Sequence, residues 1–229
     1  MKNILTTLLL CISLSVSAQL GVTKFLGIPV DGYKNEMIKK LKAKGFTDSE
    51  LGNDILEGEF NGENVYLFVV TNNNKVYRIA VMDQNPRGET DIKIRFNNLC
   101  NQFKNNTRYT SMSDTNYEIK ESEDIGYETT VHDKRYEAGF MQHPEITDSI
   151  GIKEIIKERL LQNYTEEQLS APSEEIKKAG ISVFSEYYVN KLSKNHVWFM
   201  IDKSPIMPMG YIIKIFYDNE NNRANGEDL

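Results

Sequence analysis

A chain of 229 residues, 40% apolar and 26% charged, has a globular composition and the length to bury a core. Its formal net charge of −6 lacks the basic excess with which nucleic-acid binders neutralise phosphates, so nucleic acid is not an expected partner. Two cysteines, one inside the N-terminal apolar run, exclude a disulfide framework.

The chain opens with MKNILTTLLLCISLSVSAQ, in which Lys2 precedes an apolar run over 4–16 and Val16-Ser17-Ala18 fits a small-residue cleavage site. This predicts a signal peptide over 1–18, cleaved after Ala18, and a protein that is periplasmic or secreted. The run is too short for a stable membrane span, and no later run is long enough for one. Leu8-Leu9-Leu10 lacks the small residues expected before a lipidated cysteine, so Cys11 is expected to leave with the signal. Cys100 then remains alone, on one helical face with Ile92, Phe96, Leu99 and Phe103, where a buried structural thiol is expected.

Met37, Ile38 and Leu41 give one apolar face to a helix over 33–44, with Asp31 as the expected N-cap and Gly45 as its terminator. Gly27 and Gly32 have phosphate-loop spacing, but Tyr33 stands where the lysine is required, so the loop reads as a helix entry. Strands are predicted over 54–60, 64–72 and 75–83, reversed at Asn61-Gly62 and again at Asn72-Asn73-Asn74. A helix starting at Thr90 or Asp91 follows to about 106. Extended pieces are predicted over 116–121, 126–133 and 134–142, the last two forming a hairpin around His132 and Asp133. Helices are predicted over 148–164, from a capping box at Thr165 and Gln168, and over 173–195. Strands over 196–202 and 211–219 close the chain before a polar tail.

The hairpins NVYLFVV/KVYRIAVMD and HVWFMID/YIIKIFYDN look alike, each ending in aspartate, Asp83 and Asp218. The expected fold class is α+β, an antiparallel meander of hairpins with flanking helices. Two degenerate helix-plus-strands halves, about 25–105 and 110–229, would lie in one compact domain over 19–229.

The stretches LGIPVDG, EMIKKLKAKGF, NGENVYLFVVTNNNKVYRIAV and FYDNENNRANGEDL resemble an uncharacterised family of small exported proteins of Gram-negative, gut-type bacteria, over most of the chain after the signal. That resemblance brings no activity. More distantly, a helix followed by an antiparallel meander, taken twice, is similar to β-lactamase-inhibitor-protein-like modules and related outer-membrane-assembly lipoproteins. Those modules bind proteins, but the likeness is at fold level and no diagnostic residue carries over.

The chemistry-bearing residues are sparse. His132, His143 and His196 have no partner at metal-ligand spacing, and Gly180-Ile181-Ser182 lacks the final glycine of a nucleophile elbow. Glu57 and Glu59 share a strand face, the arrangement of chance acid pairs on a solvated surface. Asp218, Glu220 and Asp228 miss the glycine and bidentate glutamate of a calcium loop. No catalytic residue, metal site or cofactor is expected. Asp148-Ser149-Ile150 fits both a helix cap and an O-glycosylation pattern at Ser149. The connection between the last strands, DKSPIMPMG, carries Pro205, Ile206, Met207, Pro208 and Met209 where the first hairpin has only polar residues. It is either a partner-binding tip or a loop folded back onto the core.

The expected function is an exported, non-enzymatic protein-binding module whose partner is an envelope or extracellular protein. The alternatives are a glycan or small-ligand binder, for which 12 tyrosines offer stacking surfaces, and a hydrolase with an unrecognised site. Intact mass of the exported protein should correspond to a chain beginning at Gln19; a lipid-modified Cys11 would overturn that reading.

Overall fold

The computed structural model describes residues 21–145 and 149–224, so the expected signal and Asp228 lie outside the described residues. A two-residue ribbon, β1 (Lys24–Phe25) and β2 (Ile28–Pro29), leads into α1 (Lys34–Lys42). Short β3 (Thr47–Asp48) precedes the meander β4 (Ile55–Phe60), β5 (Glu63–Asn72) and β6 (Lys75–Asp83). Both meander turns sit at positive φ, Asn61 and Gly62 at 54° and 77°, Asn73 and Asn74 at 47° and 62°, the mirror-image turns that match strand twist. The chain continues through α2 (Glu89–Lys104), β7 (Tyr109–Ser111), α3 (Ile125–Val131) and β8 (Glu137–Gln142). An inserted set, α4 (Ser149–Leu160), α5 (Glu166–Ser170) and α6 (Glu174–Leu192), precedes β9 (Asn195–Lys203) and β10 (Tyr211–Asn219).

The protein is thus α+β, with a two-stranded ribbon and an eight-stranded antiparallel sheet in the order β3-β4-β5-β6-β10-β9-β8-β7. That order is palindromic. The unit α1-β3-β4-β5-β6 recurs as α2-β7-β8-β9-β10, and the two meet where β6 pairs with β10. The units divide between Asp83 and Glu89, so α2 opens the second unit, whereas the sequence reading leaves that helix at the end of the first. The two hairpins do correspond, but their terminal aspartates do not: Asp83 faces α2, while Asp218 faces the other side with Arg78.

Both α1 and α2 pack on one face of the sheet. Met37 and Leu41 of α1 and Ile92, Phe96 and Leu99 of α2 join Leu67, Ile79, Val81, Val197, Phe199 and Ile213 in a single core. Cys100 belongs to that core, and burial pushes its thiol up to about 12, so it is inert packing. A buried ion pair ties α2 down. The Arg95 guanidinium donates twice to Asp83, at 2.6 Å each, with both side chains nearly sealed, and Glu63 joins through Arg87 at 2.6 Å.

Four local expectations are corrected. Tyr33, not Asp31, occupies the N-cap of α1 and no side chain caps it; Asp31 instead accepts a hydrogen bond from Asn222. Gly88 is the N-cap of α2, which starts at Glu89, one residue before Thr90 and two before Asp91. The segment 126–133 is helical and the hairpin at His132 does not form. Asp124 caps the Tyr127 amide at 2.7 Å, Glu89 takes the Ile125 amide at 3.0 Å, and Ile125 is fully buried. The alternating Tyr127 and Val131 that suggested a strand are exposed, because no neighbouring strand receives them. Likewise 116–121 pairs with no strand; the Asn97 carboxamide satisfies both backbone groups of Ile119 at 2.9 Å. The capping box at Thr165 and Gln168 is present.

Replacing Arg95 by Met should lower stability by about 3 kcal/mol by denaturant titration, because Asp83 stays buried and keeps only the longer 3.4 Å contact to Arg87. Replacing exposed Lys42, whose partner is Asp48, should change it by less than about 1 kcal/mol. Glu123 is held below the ordinary carboxyl range by Lys134 and the Tyr136 hydroxyl; burial pushes Glu89 up, but Lys93 and the Ile125 amide outweigh it. Their stabilisation is present above the unfolded carboxyl value of about 4.3 and is lost as pH falls through the lowered folded values. Amide exchange over 117–131 should therefore accelerate selectively in acid.

Candidate functional site

Strand side chains alternate, so the strands that feed the core also build a second face. On that face the register aligns one row across six strands: Ile55, Phe68, Ala80, Phe216, Trp198 and Gly139. A parallel row carries Glu57, Tyr66, Met82, Lys214, Met200 and Glu137, and a third includes Val70, Arg78, Asp218, His196 and Met141. The helices that pack on the sheet occupy the opposite face, and no side chain of these rows enters the core. Phe68, Tyr66, Phe216, Trp198, Met200 and Met141 are accordingly only half-buried.

The centre of this face is rigidly assembled. Trp198 and Phe216 stack with ring centroids 4.2 Å apart, and the Arg78 guanidinium lies 4.7 Å over Phe216 and 5.4 Å over Trp198. Asp218, nearly buried, accepts two bonds from Arg78 at 2.6 and 2.7 Å and the Trp198 indole N–H at 3.0 Å. The Asp218 hydrogen bond pushes the Arg78 pKa up, so this cation is permanent. Lys214 pairs with Asp202 toward one end, and His196 stands 3.6 Å from Glu220 at the other.

The loop expected as a partner-binding tip or a folded-back segment stands out from the molecule. Ile206 is 75% and Met209 92% exposed, and Pro205, Met207 and Pro208 are exposed as well. Met209 takes a positive φ of 59°, and Met207 folds over Gly210 so closely that a Cβ there would lie 2.8 Å from it. The loop joins the two central strands that carry Trp198 and Phe216.

The remaining sequence candidates are scattered. His132 pairs with Glu128 at 2.9 Å, and the His143 ring bridges the Thr110 and Tyr188 hydroxyls at 2.8 and 2.7 Å. Among the described residues no group of three or more His, Cys, Asp or Glu side chains could hold a metal ion. Asp218 is spent on Arg78 and Trp198 rather than turned toward Glu220. Ser182 is exposed within α6, and Gly27 and Gly32 sit in turns at φ of 79° and 85°. Glu57 lies on the open face, half-buried, and Glu59 is exposed. The backbone of α4 starts at Ser149, whose side chain lies outside the described residues, as does Asp148. No described helix is long and apolar enough to cross a membrane.

Sequence reasoning missed the open face. The available signal was the run of apolar residues on both faces of NVYLFVV, HVWFMID and YIIKIFYDN, which marks strands covered on two sides or offered to a partner. No protein-family model, curated protein or solved structure matches the chain.

Replacing Asp218 by Asn should release Arg78 and the indole together. The emission of Trp198, the sole tryptophan, should shift and lose polarisation while α2 packing, read by far-UV dichroism, is retained.

Proposed function

We propose that this chain is an exported, non-enzymatic interaction module that binds a folded protein of the cell envelope or extracellular space through the open face of its sheet. The observation that carries the reading is the half-exposed row of Phe68, Phe216 and Trp198, flanked by Met82, Met200 and Met141. Contiguous apolar surface of this kind is rare on monomers unless it is used. Six strands at about 4.8 Å spacing, with central strands rising about 3.3 Å per residue, give a footprint on the order of 800 Å², what one partner contributes to a standard protein interface. Aromatics, methionines and an arginine are the residues enriched in such interfaces.

The chemistry of the partner follows from the rim. Glu57 and Glu59 border the apolar rows on a chain of net charge −6, while Glu137 and Asp202 are paired with Arg135 and Lys214; this suits an apolar knob with basic residues on the β4 side. A glycan is served less well. Sugars stack on free ring faces, but Trp198 and Phe216 stack on each other beneath Arg78. A hydrolase would need convergent, perturbed carboxyls, and the shifted carboxyls Glu89 and Glu123 are lowered by structural partners away from this face. Export rests on the N-terminal signal pattern, and the expected likeness to inhibitor-protein-like modules points the same way. The exposed 205–209 loop extends the surface at one end.

The chain from Gln19 onward, tagged and incubated with its own envelope extract, should enrich one protein. Enrichment should fall at least about tenfold with Phe68→Ser/Met200→Ser at unchanged thermal midpoint, and purified partner should quench or shift Trp198 emission. Met207→Ser/Met209→Ser should weaken capture less. Enrichment indifferent to the face variant, or absent across salt and detergent conditions, would overturn the proposal.

A further inference from the structure

On the helix side of the sheet, away from the open face, a cavity of about 550 Å³ opens between the β1–β2 ribbon, the C-terminal end of α2 and strands β7 and β8. Its volume lies in the range that encloses small organic ligands. One part of its wall is apolar, formed by Phe60, Leu99, Phe103, Ile215 and the ring of Tyr217, and the rest is polar.

Three polar side chains on the lining can donate to a ligand. Tyr217 is 5% exposed, yet its hydroxyl makes no hydrogen bond among the described residues and is not sealed off from the cavity. The Tyr109 hydroxyl accepts from the Gln142 amide at 3.0 Å, which leaves its own proton free. Arg108 lines the same cavity, is exposed, and forms no ion pair among the described residues. All three line the one cavity, and burial pushes the Tyr217 phenol up, with Tyr109 adding to the rise and Arg108 opposing it. The one acid on the lining, Glu145, is already paired with Lys24. Beside the apolar part of the wall, the lining thus offers an anion two phenolic protons and one unpaired guanidinium, inside a protein of net charge −6.

We propose that this cavity binds a monocarboxylate with an apolar body, a medium-chain fatty acid, its chain against Phe60, Leu99, Phe103 and Ile215 and its carboxylate on Tyr217, Tyr109 and Arg108. A carboxylate supplies acceptors to all three unspent donors and neutralises the unpaired charge. A neutral alcohol of the same chain would fill the wall and leave Arg108 unpaired; a cationic amphiphile would meet it with like charge.

Calorimetry of the exported chain with decanoate, below its critical micelle concentration, tests this, with decanol and decyltrimethylammonium as comparators. Decanoate should bind saturably, and decanol at least about tenfold more weakly. Tyr217→Phe keeps the packed ring and Arg108→Gln lies at the surface. Each should weaken decanoate about tenfold with the thermal midpoint of the free protein unchanged, while Phe68→Ser should leave binding intact. Absence of saturable binding up to millimolar decanoate would overturn the proposal. So would equal binding of all three amphiphiles, or loss with Phe68→Ser but not with the cavity variants.

Discussion

The pairing of β6 with β10 is the constraint on which the rest of the molecule depends. Residues 78–82 and 214–218 meet there, and the Arg78–Asp218 pair beside the seam closes 140 residues of chain. Loop-closure entropy grows only with the logarithm of length, so the long insertion over 149–192 adds little to that penalty. What overcomes it is the apolar burial at the seam itself, Ile79 and Val81 against Ile215 and Tyr217. With the seam formed, the two meanders become one sheet.

One sheet has two faces, and both packing helices take the same one. Each of α1 and α2 precedes a meander of the same hand, so joining the meanders edge to edge sets the helices side by side. Asp83 and Arg95 then lock α2 across β6, and the core is complete on that side alone. The opposite side keeps phenylalanine, tryptophan and methionine rows that neither α1 nor α2 covers. Their rigidity has a local cause. Asp218 holds Arg78 and the indole at once, and Arg78 lies over the stacked rings, so the surface is ordered and little side-chain entropy remains there to be lost.

Much of the architecture could be read locally. Asn61-Gly62 and Asn73-Asn74 demand positive φ, and that requirement placed the hairpin β4–β5–β6 within a residue or two. The Thr165 box and the helices around Phe96 and Ile176 follow from spacing and capping. The errors fall where a distant side chain overrides a local pattern. The segment 126–133 alternates like a strand, but Glu89, 36 residues earlier, takes the Ile125 amide and favours a helix. Asp83 and Asp218 end similar strings yet point to opposite faces, because a one-residue offset in register inverts a strand.

The sequence by itself determined most of the elements, their turns, the antiparallel α+β class and the buried Cys100, because each follows from interactions a few residues apart. Only the tertiary structure decided which strands are neighbours, which face the helices cover, and hence that Phe68, Phe216 and Trp198 form one row. It also decided that Tyr109, Arg108 and Tyr217 share a cavity. The reason is physical: a strand's two faces are equivalent in local sequence when both are apolar, and only long-range pairing and helix packing make one of them the core and the other a surface.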